Sequence, residues 1–100
     1  MKTLAGSTAS AVTWTDDTML LLPEYVTVRT VPGILQRVES SGRVPVTVDF
    51  SRVQQADSVA LALLLRWQSQ LKQPLQVVAL PDQLKTLLPL YDLERVLSVA

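Results

Sequence analysis

A strand, a polar loop and a helix start in the middle of the chain constrain the fold more than any other feature. Val44–Phe50 is β-branched and nearly continuous in apolar character, and Asp57 and Ser58 stand directly before the apolar run Val59–Leu65. Such a run fits an interior strand, and a polar pair before apolar residues is typical of a helix start. The pattern predicts a buried strand leading into a helix, which Asp57 caps through its first free N–H groups.

The remaining elements follow from turn residues and hydrophobic spacing. Asp16 and Asp17 separate two apolar segments and predict a hairpin, and Pro32-Gly33 fit the first turn of a helix. Residues 24–29 are expected to form a loop, and the tail 91–100 is expected to pack Leu93, Val96 and Leu97 on the sheet. The predicted elements are strands at 11–15, 18–22, 44–50 and 75–79 and helices at 30–39, 58–72 and 81–88.

This order of elements predicts a single α/β domain. Strands that alternate with helices after a hairpin imply a small mixed sheet with parallel crossovers and helices packed on one side. The 100 residues, 48% of them apolar, are enough for one core. Residues 1–9 are small and polar and are expected to be flexible, so the domain is placed at residues 10–100.

Composition excludes most catalytic chemistry. The chain has no cysteine, no histidine and only three glycines, which removes disulfides, imidazole bases, the usual zinc ligands and glycine-rich phosphate loops. Asp49 and Asp57 could be imagined as an acid–base pair, but a strand end and a helix cap explain them better. We therefore expect no enzyme activity, no cofactor and no metal.

Charge and hydropathy also limit the partners. The formal net charge is zero and there is no basic stripe, so nucleic-acid binding is not expected. The longest apolar run is far short of the roughly 20 residues that span a bilayer. Gly6–Ser10 interrupts any apolar segment of a signal peptide. Direct membrane insertion is therefore not expected, whereas docking to a membrane complex stays open.

The helix after Ser58 carries the candidate binding residues. At about 100° per residue, Ala60, Leu61, Leu64, Gln68 and Leu71 should face the sheet. The outer face is then unusually apolar, and such faces often mark partner sites. The alternative is that a second layer of the same chain covers this face. The predicted partner-binding residues are Asp57, Ser58, Val59, Ala62, Leu63 and Arg66, with Trp67 at the border.

Ser58 itself has two interpretations. A serine at a helix start is most often only a cap or first-turn residue. Alternatively, its hydroxyl contacts a partner or accepts a phosphate, which the helix dipole would tolerate.

The same residues resemble the STAS domain family, named for sulfate transporters and anti-sigma factor antagonists. Its pattern is a strand ending in Asp-Leu-Ser, a spacer, then Asp-Ser/Thr-x-Gly-Leu and a leucine-rich helix. Here the pattern stands as Asp49-Phe50-Ser51 and Asp57-Ser58-Val59-Ala60-Leu61. The similar order of strands and helices covers nearly the whole chain.

Two departures from that pattern separate the branches of the family. In anti-sigma factor antagonists the phosphorylated serine directly precedes the glycine, and Val59 and Ala60 occupy those positions here. Ser58 is instead similar to the Ser/Thr of the MlaB branch, the small STAS subunits of Mla phospholipid ABC transporters. The segments Ala60–Leu65 and Leu90–Leu93 also resemble that branch.

The resemblance implies a cytoplasmic accessory subunit. It would bind the MlaF-like ATPase subunit within a complex that includes a membrane permease, and would lie at the inner membrane only through that complex. The complex maintains lipid asymmetry of a Gram-negative outer membrane. The alternative is an anti-sigma factor antagonist in a partner-switching phosphorylation system, with Ser58 as the hydroxyl to be phosphorylated.

Overall fold

The computed structural model describes residues 12–99, which form a five-stranded mixed sheet, a pair of two-residue strands and three α-helices. In chain order the elements are β1 (Thr13–Trp14), β2 (Met19–Leu21), β3 (Tyr25–Val26), α1 (Val31–Ser40), β4 (Thr47–Asp49), β5 (Gln55–Ala56), α2 (Val59–Gln68), β6 (Leu75–Val78), α3 (Asp82–Lys85), two 3₁₀ turns (Pro89–Tyr91 and Leu93–Arg95) and β7 (Leu97–Val99).

The predicted hairpin is confirmed and its turn is built by one carboxylate. β1 pairs antiparallel with β2. Asp16 Oδ1 accepts hydrogen bonds from the backbone N–H of Thr18 at 2.7 Å and of Met19 at 2.8 Å. These bonds satisfy backbone donors in the tight turn, which is the usual role of Asp at such a position.

The sheet has the order β1-β2-β4-β6-β7, and all neighbours after the hairpin are parallel. Leu20, Val48 and Val77 lie side by side in three adjacent strands and are completely buried. In the neighbouring row, Thr47 and Gln76 point to the other face; Thr47 is half-buried and Gln76 is exposed. One face therefore carries the core and the helices, as predicted.

The first helix follows its sequence signals closely. α1 has Pro32 within its first turn and ends just before Ser41-Gly42, where Gly42 takes a φ of 73°. That left-handed conformation favours glycine, so the stop signal is confirmed. Ile34 and Val38 are its buried residues, one turn apart on the same face.

The other two helices are shorter than predicted. α2 ends at Gln68 rather than Lys72. The Gln68 side chain turns back on the following loop, where it donates to the Gln73 carbonyl and accepts from the Leu75 N–H. α3 ends at Lys85, and the chain continues through turns to the first 3₁₀ segment.

Two pairings were not predicted. Residues 24–29 were expected to be a loop, but β3 lies there and pairs in parallel with β5. The tail was expected only to pack on the sheet, but β7 extends the sheet as a parallel strand beside β6. Leu93 and Leu97 are buried as expected, whereas Val96 is exposed.

Among residues 12–99, no helix combines the length and the apolar character needed to cross a bilayer. The predicted flexible segment 1–9 lies outside the described residues.

Candidate functional site

The start of α2 is held by Asp57. Its Oδ1 accepts from the Val59 N–H at 3.1 Å, which confirms the predicted cap. Its Oδ2 accepts from the Val28 N–H at 3.4 Å, and its own N–H donates to the Val26 carbonyl at 3.2 Å. Asp57 thus ties the first turn of α2 to the turn that precedes α1, although its own side chain remains exposed.

Ser58 follows as the last residue before the helix and is exposed. Its hydroxyl makes no cap hydrogen bond: the Ala60 and Leu61 N–H groups, which a capping serine would serve, donate to the Asp57 and Ser58 backbone carbonyls. Ser58 thus does not cap the helix through its side chain, and its role in partner contact or phosphorylation stays a prediction. A free hydroxyl at a helix start is available to a partner group.

The predicted outer face of α2 is partly wrong. Leu63 is only 3% exposed and Trp67 only 1%, so both belong to the core. The prediction failed because α2 packs against α1 as well as against the sheet, which widens its buried arc beyond one side of the wheel. Ala62 and Arg66 are exposed as predicted, and Val59 is half-buried.

Leu65, which the wheel did not assign to either face, lies on the exposed side with 39% of its surface accessible. It borders an open groove of about 300 Å³ that runs along α2. The groove is lined by Ser58, Leu61, Ala62 and Leu65 from the helix and by Tyr91 and Leu93 from the 3₁₀ turns.

The 3₁₀ turns supply the other wall of this groove through Tyr91 and Leu93. Leu90 is 75% exposed and Tyr91 57% exposed. Asp92, between the two turns, has a φ of 57°, and this left-handed residue lets the chain reverse so that Leu93 is buried beneath them. The sequence signal for this wall is the run Leu90–Leu93, which resembles the MlaB branch but does not by itself predict a binding site.

A further exposed apolar residue lies in the turn whose backbone is bonded to Asp57. Val28 is 66% exposed, and its backbone N–H is bonded to Asp57. We call the exposed residues that line the groove the Ser58 surface. It consists of Ser58, Ala62, Leu65 and Tyr91.

Arg66, predicted as a charged anchor, is already paired within the chain. Its Nη2 lies 2.6 Å from Glu39 Oε2 of α1, and both side chains are about half exposed. The pair joins the two long helices at the surface, so Arg66 is accessible but its charge is neutralised locally. Trp67 beneath it has an indole N–H without an acceptor among residues 12–99.

The two aspartates singled out from the sequence have structural roles. Asp49 ends β4, and its Oδ1 accepts from the Ser51 N–H at 2.8 Å. Asp57 is engaged as described. Within the described part of the chain, no three carboxylates come together in a way that could hold a metal ion.

Comparison with known proteins agrees with the fold. The family model described as "Mlab, STAS domain" matches residues 11–98. No curated protein matches the chain in sequence. Among solved structures, the fold is similar to that of a Thermotoga maritima protein described as an anti-sigma factor antagonist, with a TM-score of 0.68 and 17% identity, covering 89% of this chain and 83% of that one.

Proposed function

Since the chain belongs to the STAS domain family and is close to its MlaB branch, we propose that it is a non-enzymatic accessory subunit of an Mla-type phospholipid ABC transporter. In this proposal it binds the cytoplasmic ATPase subunit, which joins it to the membrane permease. The complex would maintain the lipid asymmetry of an outer membrane.

The Ser58 surface is the observation that supports this function. Two large apolar side chains, those of Leu65 and Tyr91, stay exposed in one groove with the Ser58 hydroxyl, which makes no cap hydrogen bond. Exposed apolar groups gathered at one place usually mark a protein-binding site, and aromatic residues are common anchors of such sites. A binding role also agrees with a chain that has neither cysteine nor histidine.

Copurification with the Mla-type ATPase subunit from the same organism tests the proposal. Ala62→Arg places a bulky charge in the groove on the exposed side of α2 and should abolish copurification. The variant should still fold, because the buried arc of the helix is untouched. Leu65→Asp should do the same by placing a carboxylate in the groove. Circular dichroism should show wild-type folding for both variants. Retained copurification of both folded variants would mean that the ATPase does not bind here.

A second function has some support. The fold similarity to the Thermotoga maritima protein and the exposed Ser58 hydroxyl are compatible with an anti-sigma factor antagonist that a kinase regulates. Val59 argues against it, because it offers no oxygen at the position where that group is phosphorylated. Incubation with an anti-sigma kinase and mass spectrometry decides between the two. Stoichiometric phosphate on Ser58 that releases a bound partner would favour this second function.

A further inference from the structure

The two walls of the groove come from distant parts of the chain. Ser58 and Leu65 belong to α2 and the residue before it, whereas Tyr91 and Leu93 belong to the 3₁₀ turns that follow α3. The shape of the groove therefore depends on the contacts that hold the segment 82–95 beside the start of α2.

A side-chain hydrogen bond joins the segments that lead into these two walls. Nε2 of Gln83, in the first turn of α3, donates to the Ala56 carbonyl at 2.7 Å. Ala56 is only 6% exposed and stands two residues before Ser58. The two ion pairs within the segment 82–95 join residues three positions apart and do not reach α2. Gln83 thus provides a polar contact between α3 and the strand that precedes α2.

On the side of α2, only Asp57 separates Ala56 from Ser58. Hydrogen bonds from the Val28 and Val59 N–H groups to the Asp57 carboxylate fix this junction. The position of Ala56 therefore determines the position of Ser58.

On the other side, hydrogen-bonded turns connect Gln83 to Tyr91. The Leu87 N–H donates to the Leu84 carbonyl at 3.0 Å, and the Tyr91 N–H donates to the Leu87 carbonyl at 3.2 Å. Leu84 and Leu88 anchor the segment in the core. Apolar packing has no preferred direction, whereas a hydrogen bond sets both a distance and an angle. The bond of Gln83 to the strand before α2 therefore fixes what packing alone leaves adjustable.

We propose that Gln83 is a positioning residue of the Ser58 surface, and that its bond to Ala56 holds the two walls of the groove at the separation at which the partner binds. This role rests on the proposed function and adds to the partner site a residue that does not line the groove. Walls that are placed before binding do not have to be ordered when the partner arrives, so less conformational entropy is lost on association. Without the bond, association has to supply that ordering and is weaker.

Gln83→Met removes the amide donor and keeps an unbranched side chain of similar length that suits a helix. Gln83 is exposed, so the variant should remain folded. Its affinity for the purified Mla-type ATPase subunit, measured by biolayer interferometry, should fall about fivefold. In the proton–nitrogen correlation spectrum of the free variant, the amide signals of both Ser58 and Tyr91 should shift from their wild-type positions.

Gln83→Lys is the rescue variant. Its amine is a donor on a side chain one bond longer, which can again reach the Ala56 carbonyl. In roughly 500 mM NaCl, where the added charge is largely screened, its affinity should return to within about twofold of the wild type.

Gln68→Met is the matched control. Gln68 also donates from its side-chain amide to a backbone carbonyl, that of Gln73 at 2.9 Å. It lies at the other end of α2, roughly 15 Å along the helix from Ser58. The control should lower the melting temperature, but its affinity for the ATPase subunit and the amide signals of Ser58 and Tyr91 should stay those of the wild type.

The outcomes distinguish this role from the proposed function. If Ala62→Arg abolishes binding while folded Gln83→Met binds with wild-type affinity, the partner occupies the groove without help from Gln83 and the inference is wrong. Equal losses of affinity in Gln83→Met and Gln68→Met would also overturn it, because lost stability would then explain both. If the wild-type chain does not bind the ATPase subunit, the proposed function is wrong and the inference fails with it.

Discussion

Leu63 and Leu65 lie two residues apart on α2 and have opposite environments: Leu63 is 3% exposed in the core, whereas Leu65 is 39% exposed at the edge of the groove. Within one turn of helix, Leu63 therefore contributes to folding, whereas Leu65 is available for binding. Any substitution that tests the proposed interface has to respect this division.

Leu63→Asp should therefore unfold the domain. Burying an unpaired carboxylate costs more than about 3 kcal/mol, a large part of the stability of a domain of this size. Leu65→Asp should remain folded and lose only partner binding. Urea denaturation and far-ultraviolet circular dichroism of both variants measure this. A folded Leu63→Asp variant would contradict the burial of that residue.

Ser58→Ala should leave the stability unchanged within about 0.5 kcal/mol, because the hydroxyl makes no cap hydrogen bond. Binding to the ATPase subunit should weaken by about 1 kcal/mol, the typical value of one hydrogen bond. Thermal denaturation measures the change in stability, and calorimetric titration with the ATPase subunit measures the change in binding free energy. Asp57→Ala serves as the comparison, since loss of that cap should destabilise the domain by about 1 kcal/mol.

Ala79→Gly should stabilise the domain. Ala79 follows β6 with a φ of 59°, a conformation that costs a residue with a Cβ roughly 1 kcal/mol and glycine almost nothing. The gain should be about 0.5–1 kcal/mol, reduced by the greater freedom of glycine in the unfolded chain. Chemical denaturation measures the difference. Ala62→Gly in the exposed middle of α2 is the opposite control and should destabilise by about 1 kcal/mol.

The Asp16 turn should show a pH-dependent contribution to stability. Hydrogen bonds from the backbone N–H of Thr18, the backbone N–H of Met19 and the Thr18 hydroxyl hold the pKa of Asp16 below its ordinary value of 3.8. The folded state thus favours the ionised form, so this stabilisation is present above pH 3.8 and is lost as the pH falls through the lower folded pKa.

Asp16→Ala should consequently be less stable than the wild type at pH 7, and the difference should narrow below pH 3.8. Thermal denaturation across this pH range provides the comparison, with Asp17→Ala as the neighbour that lacks these hydrogen bonds. A difference between wild type and Asp16→Ala that is constant from pH 7 to pH 2.5 would show that the carboxylate does not act in this way.

Local signals in the sequence were sufficient for the hairpin, the two interior strands β4 and β6 and the three helices, in their correct order. Asp16-Asp17 marked the hairpin turn, Gly42 the end of α1 and Asp57 the start of α2, and each role depends on contacts within a few residues. The covered face of the sheet was also predictable, because the side chains of a strand alternate and the helices of parallel crossovers pack on one side. The family pattern around Asp57 and Ser58 depends on the same local order.

Only the tertiary structure decided which side chains form the candidate site. The β3–β5 and β6–β7 pairings join segments distant in sequence, and strands of two or three residues are too short for a periodic signal. The exposure of α2 depends on α1 and on the 3₁₀ turns, which no helical wheel includes. Leu63 and Trp67 were therefore buried against expectation, and Leu65 and Tyr91 were exposed together, because burial is determined by neighbours that the fold brings into contact.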